Sequence, residues 1–244
     1  MARTTSAGLV VIGNEILSGK VEDSNSPFLA AQLRAAGVSL ERIIVIPDEI
    51  DVIAATVREY SAAYDLVFTS GGVGPTHDDL TIAGVAAALG RKVVRHPDLE
   101  AALREFFRGV VDESRLRLAD VVDGTELLTD GNLKFPTFLV GNIYVLPGIP
   151  EIFREKVKAI RHRFTTDPFH LRVVYVREQE TAIAVHLNRT LEAYPELLLG
   201  SYPKLNNPEY KVRLTLESKD LGYLEGALGK LLELLPAEAV VRHE

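Results

Sequence analysis

TSGGVGPTHDDLT, residues 69–81, joins the apolar run DLVFTS (65–70) to the alanine-rich TIAGVAAALG (81–90). A short apolar run rich in β-branched and aromatic residues reads as a buried strand, and the alanine-rich segment reads as a helix. The join is therefore a strand-to-helix loop. The same grammar extends upstream. LVVI (9–12) reads as a buried strand and RIIVI (42–46) as a second strand. SNSPFLAAQLRAAG (24–37) reads as a helix capped by Ser24 or Asn25, with Pro27 in its first turn and Gly37 as its stop. Val52, Ile53, Val57 and Tyr60 recur at helical spacing between Asp51 and Tyr64. Strands alternating with helices imply crossover units and a mostly parallel sheet covered on both faces, a three-layer α/β fold. In such sheets ligands bind outside the carboxyl ends of the strands, which is where residues 69–81 fall.

Further along, PDLEAALREFFRG (97–109), ESRLRLADV (113–121) and IPEIFREKVKAIRHRF (149–164) read as helices. The polar stretch DGTELLTDGN (123–132) separates the first two from GNIYVLPGIP (141–150), a strand followed by a second Gly/Pro loop. TTDPFH (165–170) has linker composition, so domains are expected over 1–167 and 170–244. The second reads strand, helix, strand, strand, helix, strand, the split βαβ order of a small ferredoxin-like α+β domain.

The 244 residues carry a net charge of −7 and no block of Lys or Arg, which argues against nucleic acid or an anionic membrane as partner. There is no cysteine, so disulfides, a thiolate nucleophile and Cys-ligated zinc drop out. The apolar stretch near the N-terminus is too short for a secretory core, and the expected compartment is the cytoplasm.

Within the loop, Gly71, Gly72 and Gly74 permit unusual backbone angles and let amide N–H groups approach a ligand. Followed by a helix start, they form an anion site. Adjacent Asp78 and Asp79 would repel a phosphate unless a divalent cation joined it, so the cluster reads as phosphate plus Mg²⁺ or Mn²⁺. The plainer reading is a turn, with Asp79 or Thr81 capping the helix. The position after a buried strand, the doubled aspartate, and Thr76 and Thr81 favour the site. Other strand ends add Asn14, Glu15 and Asn25 after the first strand and Asp48 after the second. Glu15 also suits a solvated face, Asn25 a helix cap and Asp48 a cap. His77, inside the loop, is either a metal or phosphate contact or an exposed histidine without a role. The remaining histidines lack ligand spacing. No lysine lies between Lys20 and Lys92, which removes a Walker loop, and GGVGPT lacks the last glycine of a dinucleotide fingerprint.

GNEILSG, the Asp-Ser-Asn at 23–25, IPDE (46–49), TSGGVGPTHDDLT and YVLPGIP together resemble the molybdopterin-binding superfamily of MogA and MoaB type. Val73 with Thr76, Asp78 and Asp79 is most similar to the branch containing the N-terminal domain of CinA and the molybdopterin-binding-like domain of FAD synthase. The true molybdopterin enzymes usually carry Gly-Gly-Thr-Gly and a basic residue before a single Asp. GSYP (200–203) and the alternating strand after it resemble the small domain that follows in the same relatives.

The resemblance implies a metal-dependent pyrophosphatase acting on nucleoside-diphosphate-linked substrates of the ADP-ribose or FAD class. Its cofactor would be Mg²⁺, Mn²⁺ or Co²⁺, with K⁺ as a further ion, and its assembly a dimer or trimer. In that scheme Gly71, Gly72, Gly74, Pro75 and Thr76 surround a phosphate, with Thr81, Asn14, Glu15 and Asn25 beside them. Asp79 with Asp78 or Asp48 holds the metal, and Pro147 and Gly148 form a facing wall. The alternatives are adenylyl transfer to molybdopterin and a nucleotide- or pterin-binding module without catalysis.

Overall fold

A computed structural model of the chain describes residues 4–108, 111–131, 133 and 135–244. Contacts divide the described residues into two compact units, one ending at Thr166 and the other spanning Asp167–Glu244.

In chain order the larger unit contains β1 (Ser6–Ile12), α1 (Asn14–Leu17), α2 (Asn25–Ala35), β2 (Ser39–Ile46), α3 (Ile50–Ala63) and β3 (Leu66–Ser70). There follow α4 (Thr81–Leu89), β4 (Val93–Arg95), α5 (Pro97–Phe106), α6 (Glu113–Leu116), β5 (Asp120–Val122), β6 (Glu126–Leu128), β7 (Thr137–Val140), β8 (Ile143–Leu146) and α7 (Pro150–Ile160). One sheet has the order β2-β1-β3-β8-β7-β6. Its first four strands are parallel, and β7 and β6 extend it antiparallel.

β1 shows why the unit has three layers. Leu9 and Val11 pack with Leu29, Leu33, Phe153 and Val157 of α2 and α7. Val10 and Ile12 point the other way and pack with Ile53, Val57, Tyr60 and Val85 of α3 and α4. A strand buried on both faces needs an unbroken apolar run, which LVVI supplies. Each fully buried Leu, Ile or Phe contributes about 1.5–3 kcal/mol, and that burial sets the register of the strands.

Two expectations are corrected. Residues 113–121 are not one helix: α6 ends at Leu116, a 3₁₀ turn spans Arg117–Ala119, and β5 begins at Asp120. Asp112 caps α6 through Arg115 N–H, and Arg95 draws Asp120 and Glu113 to itself at 2.9 and 2.7 Å. β4 pairs with β5 in a separate two-stranded sheet. The polar 123–132 stretch contains β6, which pairs with β7; its Asn132 lies outside the described residues, as does Gly109 at the end of the 97–109 helix.

The smaller unit contains β9 (His170–Val176), α8 (Glu180–Ala193), β10 (Leu198–Pro203), β11 (Val212–Ser218), α9 (Leu221–Leu234) and β12 (Val240–His243). Its antiparallel sheet runs β10-β11-β9-β12, the split βαβ arrangement. Val174, Val176, Leu214 and Leu216 bury against Ile183, Leu187, Leu224 and Leu231 of the two helices.

Candidate functional site

Register places the site. Ile12 pairs with Ile46, Val11 with Ser70, and Ser70 with Leu146, so β1, β2, β3 and β8 all end at one edge of the sheet. The chain leaves β3 through Gly71 at φ 107° and Gly72 at φ 62°, conformations that L side chains rarely adopt. A Cβ on Gly71 would lie 2.1 Å from the carbonyl oxygen of Ile12. One on Gly148, after β8, would lie 3.3 Å from Gly71 Cα. Only glycine lets three strand ends crowd this closely. Gly71 N–H donates to Leu146 O at 3.2 Å. Thr81, fully buried at the start of α4, donates its hydroxyl to Gly71 O at 2.7 Å and its amide to Gly72 O at 3.0 Å. Thr81 is thus a tie across the loop, and its side chain does not cap the helix.

Among the described residues, no acceptor is hydrogen-bonded to the N–H of Gly72, Val73 or Gly74. These residues line a cavity of about 560 Å³, together with Glu15, Pro75, Asp79, Pro147 and Gly148. Asp79 is fixed by Thr76, whose N–H donates to Oδ2 at 2.8 Å and whose hydroxyl donates to the same oxygen. That leaves Asp79 Oδ1 uncommitted. Asp78 is exposed, and the Thr76 hydroxyl first, then its own backbone N–H and His77, hold its carboxyl below the ordinary carboxylate range. The His77 side chain is 97% exposed, and its Nδ1 stands 3.8 Å from Asp78.

Asp48 accepts from the Asn14 backbone N–H at 2.7 Å, which ties the end of β2 to the start of α1. Asn14, Glu15, Asp48 and Asp78 line a second recess, which shares Glu15 with the first. Glu15, Gly72 and Asp79 therefore face one space, whereas Asp48 and Asp78 face the other. Among the described residues, no three His, Asp or Glu side chains are gathered as a ready metal cage.

Asn25 is buried at 5% exposure and is the first residue of α2, with Ser24 before it as the N-cap position. Its side-chain amide donates to Ser70 Oγ at 3.0 Å and Gly148 O at 2.9 Å, bracing the ends of β3 and β8. Asp23 satisfies the first amides of the helix, accepting from Asn25 N at 2.9 Å and Ser26 N at 3.1 Å.

Sequence reasoning passed over Lys156. It lines the larger cavity from α7 at only 6% exposure, and its Nζ donates to the carbonyls of Phe135, at 2.8 Å, and Pro136. Burial lowers its pKa to about 8. The remaining lining includes Leu118, Phe138, Ile149 and Ile152. The glycine loop and Asp79 therefore line part of the cavity, and the rest is largely apolar with the buried Lys156 among it. Among the described residues, no helix is long and apolar enough to cross a membrane.

This geometry matches known proteins. Residues 8–165 match the family model described as a probable molybdopterin binding domain, and residues 168–244 match that of the FAD synthase middle domain. A protein of Archaeoglobus fulgidus is 34% identical over 93% of this chain and 96% of its own. A probable FAD synthase of Caenorhabditis elegans is 29% identical over 98% of this chain, which spans about half (52%) of that relative's length. A crystal structure of CinA from Thermoplasma acidophilum, described as of unknown function, superposes with a TM-score of 0.61 at 27% identity, covering 66% of this chain and 98% of the other. With the glycine loop, the braced strand ends and residues 8–165 all in agreement, the chain belongs to the molybdopterin-binding domain family, in its CinA-like and FAD-synthase-like form.

Proposed function

We propose that the chain is a metal-dependent hydrolase of phosphoanhydride bonds, acting on nucleoside-diphosphate-linked compounds of the ADP-ribose or FAD class. The observation that carries this reading is that Gly72, Val73 and Gly74, whose amides have no acceptor among the described residues, line the same cavity as Asp79. Amides alone would accept an anion of any kind. A carboxylate beside them makes sense only if a cation accompanies that anion.

The residues fit such a cation. Mg²⁺ and its relatives are commonly held by one or two carboxylates together with substrate phosphates and water, so a preformed cage of three acids is unnecessary. Asp79, oriented by Thr76, would hold it, with Asp78 or Asp48 reaching it from the adjoining recess that shares Glu15. Bound there, the ion would polarise the bridging anhydride and neutralise developing charge. The chain's own contribution is positioning. Gly72–Gly74 amides take one phosphate, Thr81 and Asn25 hold the loop rigid, and Glu15 stands where it can orient a water.

Adenylyl transfer to a pterin, or FAD formation, is the second reading, favoured by the relatives named as probable FAD synthases. The test is one panel: ADP-ribose, FAD, and ATP with molybdopterin, each with Mg²⁺, Mn²⁺ or Co²⁺ and with K⁺ present. AMP release from ADP-ribose or FAD is expected. Adenylated pterin would replace the hydrolytic reading with the second, and tight binding without turnover would leave a binding module. The dimer or trimer expected for the family is read in the same preparation by light scattering.

A further inference from the structure

We propose that the sheet face which α8 and α9 leave uncovered in the smaller unit is a dimerisation surface. A second copy of the chain seats itself there about a two-fold axis at Thr215, with Arg213 of each copy against Glu217 of its partner.

Side chains alternate across a strand, and Val174, Val176, Leu214 and Leu216 bury against α8 and α9. Their sequence neighbours therefore face away from both helices. Register sorts these outward residues into three rows across β10, β11 and β9. The first row is Tyr202, Arg213 and Tyr175; the middle row is Gly200, Thr215 and Val173; the third is Leu198, Glu217 and Leu171. Three of the four corners are large apolar side chains left exposed, Tyr202 at 46%, Leu198 at 48% and Leu171 at 47%. Exposed apolar residues scattered singly are ordinary, but several gathered on one face mark an interaction surface. The middle row stays low. A Cβ on Gly200 would stand 2.8 Å from Thr215 Oγ1 and from the ring edge and hydroxyl of Tyr202, so only glycine lets that ring lie across the sheet.

Arg213 is the group that asks for a partner. Its guanidinium stacks over the Tyr202 ring at 5.0 Å, its Nε is a buried donor without an acceptor, and no carboxylate pairs with it among the described residues. Arg172 and Arg242, the other arginines of the sheet, are paired with Glu225 and Glu209. A carboxylate of the right kind stands two rows away on the same strand. A half-turn about an axis along the middle row sets each strand opposite its own copy, running the other way. The first row then covers the third: Arg213 meets Glu217, Tyr202 meets Leu198 and Tyr175 meets Leu171, each contact made twice. A partner of another sequence would have to reproduce this order of charge and bulk, whereas a second copy has it by symmetry. Sheets packed face to face keep their strands within about 30° of each other, which preserves the pairings. Rows and columns spaced by ~7 Å and ~4.8 Å make a small patch, so a dimer in reversible equilibrium is expected and not a permanent one.

The experiment is sedimentation velocity on the full chain from low micromolar to sub-millimolar concentration. A monomer–dimer equilibrium is expected for the parent. Arg213→Glu and Glu217→Arg each place like charges opposite one another and should raise the dissociation constant about ten-fold or more. Mixed in equal amounts, the two variants should form a heterodimer that neither forms alone, because both unlike pairs are restored; that rescue also shows that each is folded. Leu198→Asp, at an exposed corner away from the core, should weaken the parent dimer as well. The proposal is overturned if the parent is monomeric throughout, if an oligomer persists unchanged in both charge variants, or if their mixture gives no heterodimer.

Discussion

The side-chain amide of Asn25 donates to the carbonyl of Gly148 at 2.9 Å, across 123 residues of sequence. The same amide nitrogen reaches Ser70 Oγ, so one buried side chain holds together the beginning of α2, the end of β3 and the turn after β8. Replacing Asn25 with Ala would leave Ser70 Oγ and Gly148 O short of a donor. A loss of about 1–3 kcal/mol in folding stability is expected, read as a shift in urea midpoint with unchanged slope. An Asn25→Ala protein as stable as its parent would show that the brace is incidental.

Gly71 is held at φ 107° with Ile12 O where a Cβ would need to be. Gly71→Ala should therefore be far worse than an ordinary surface change. The backbone conformation alone costs about 1–3 kcal/mol, and the clash with main chain adds to it. Gly19, also at positive φ but with open space around its Cβ position, is the control: its change to Ala should lose only the conformational part. Thermal melts of the two variants side by side test the difference.

Asp79→Asn keeps the shape of the side chain and removes its charge. Thr76 N–H still finds an oxygen, so stability should fall by no more than about 1 kcal/mol. AMP release from ADP-ribose should fall by about two orders of magnitude or more, with the remaining activity demanding a higher metal concentration. Asp78→Asn is expected to act in the same direction. Full turnover in either variant would take that carboxylate out of the mechanism.

Lys156 carries a pH signature. Its folded pKa of about 8 lies below the ordinary lysine value of 10.5. Between those values the unfolded chain binds more protons than the folded one, so stability rises with pH. The gain is complete above pH 10.5 and absent below pH 8, and amounts to about 3 kcal/mol at most. Tyr60 and Tyr144, whose hydroxyls burial pushes upward, act oppositely near the alkaline end. The relevant quantity is thus the difference between the parent and Lys156→Met, measured by denaturant unfolding from pH 7.5 to 10.5. A flat difference would mean that the amine is solvated in the folded state.

Parts of this protein announce themselves in the sequence because only one physical arrangement suits them. LVVI has no polar position to turn toward water and reads as a strand covered on both sides, while the apolar runs IIVI and LVFTS read as its neighbours, the first of them at the sheet edge with Ile43 exposed. GGVG reads as a loop under strain because positive φ calls for glycine. β4, β5 and β6 do not, since each is three residues long and too short to show a period. Arg117–Ala119 continues the turn of α6 tightly enough to imitate a longer helix. Lys156 was hidden by its type, as a lysine in an amphipathic helix normally reaches solvent. The overlooked signal was its place in the stripe Phe153, Lys156, Val157, Ile160, all of which are buried. The brace by Asn25 was invisible for another reason: its partners are distant in the chain, and an asparagine before a helix suggests a cap.

Ser70 and Leu146 are sheet neighbours, yet the chain between them makes an excursion through α4, α5, α6 and four short strands before it returns. The two halves of the cradle cannot meet until that detour has closed. Slow, late assembly of the pocket is the kinetic consequence, because distant segments must be brought together before any of their contacts reward it. A refolding chain would hold its first crossover well before it could grip a ligand, and ligand added during refolding should accelerate only the final phase.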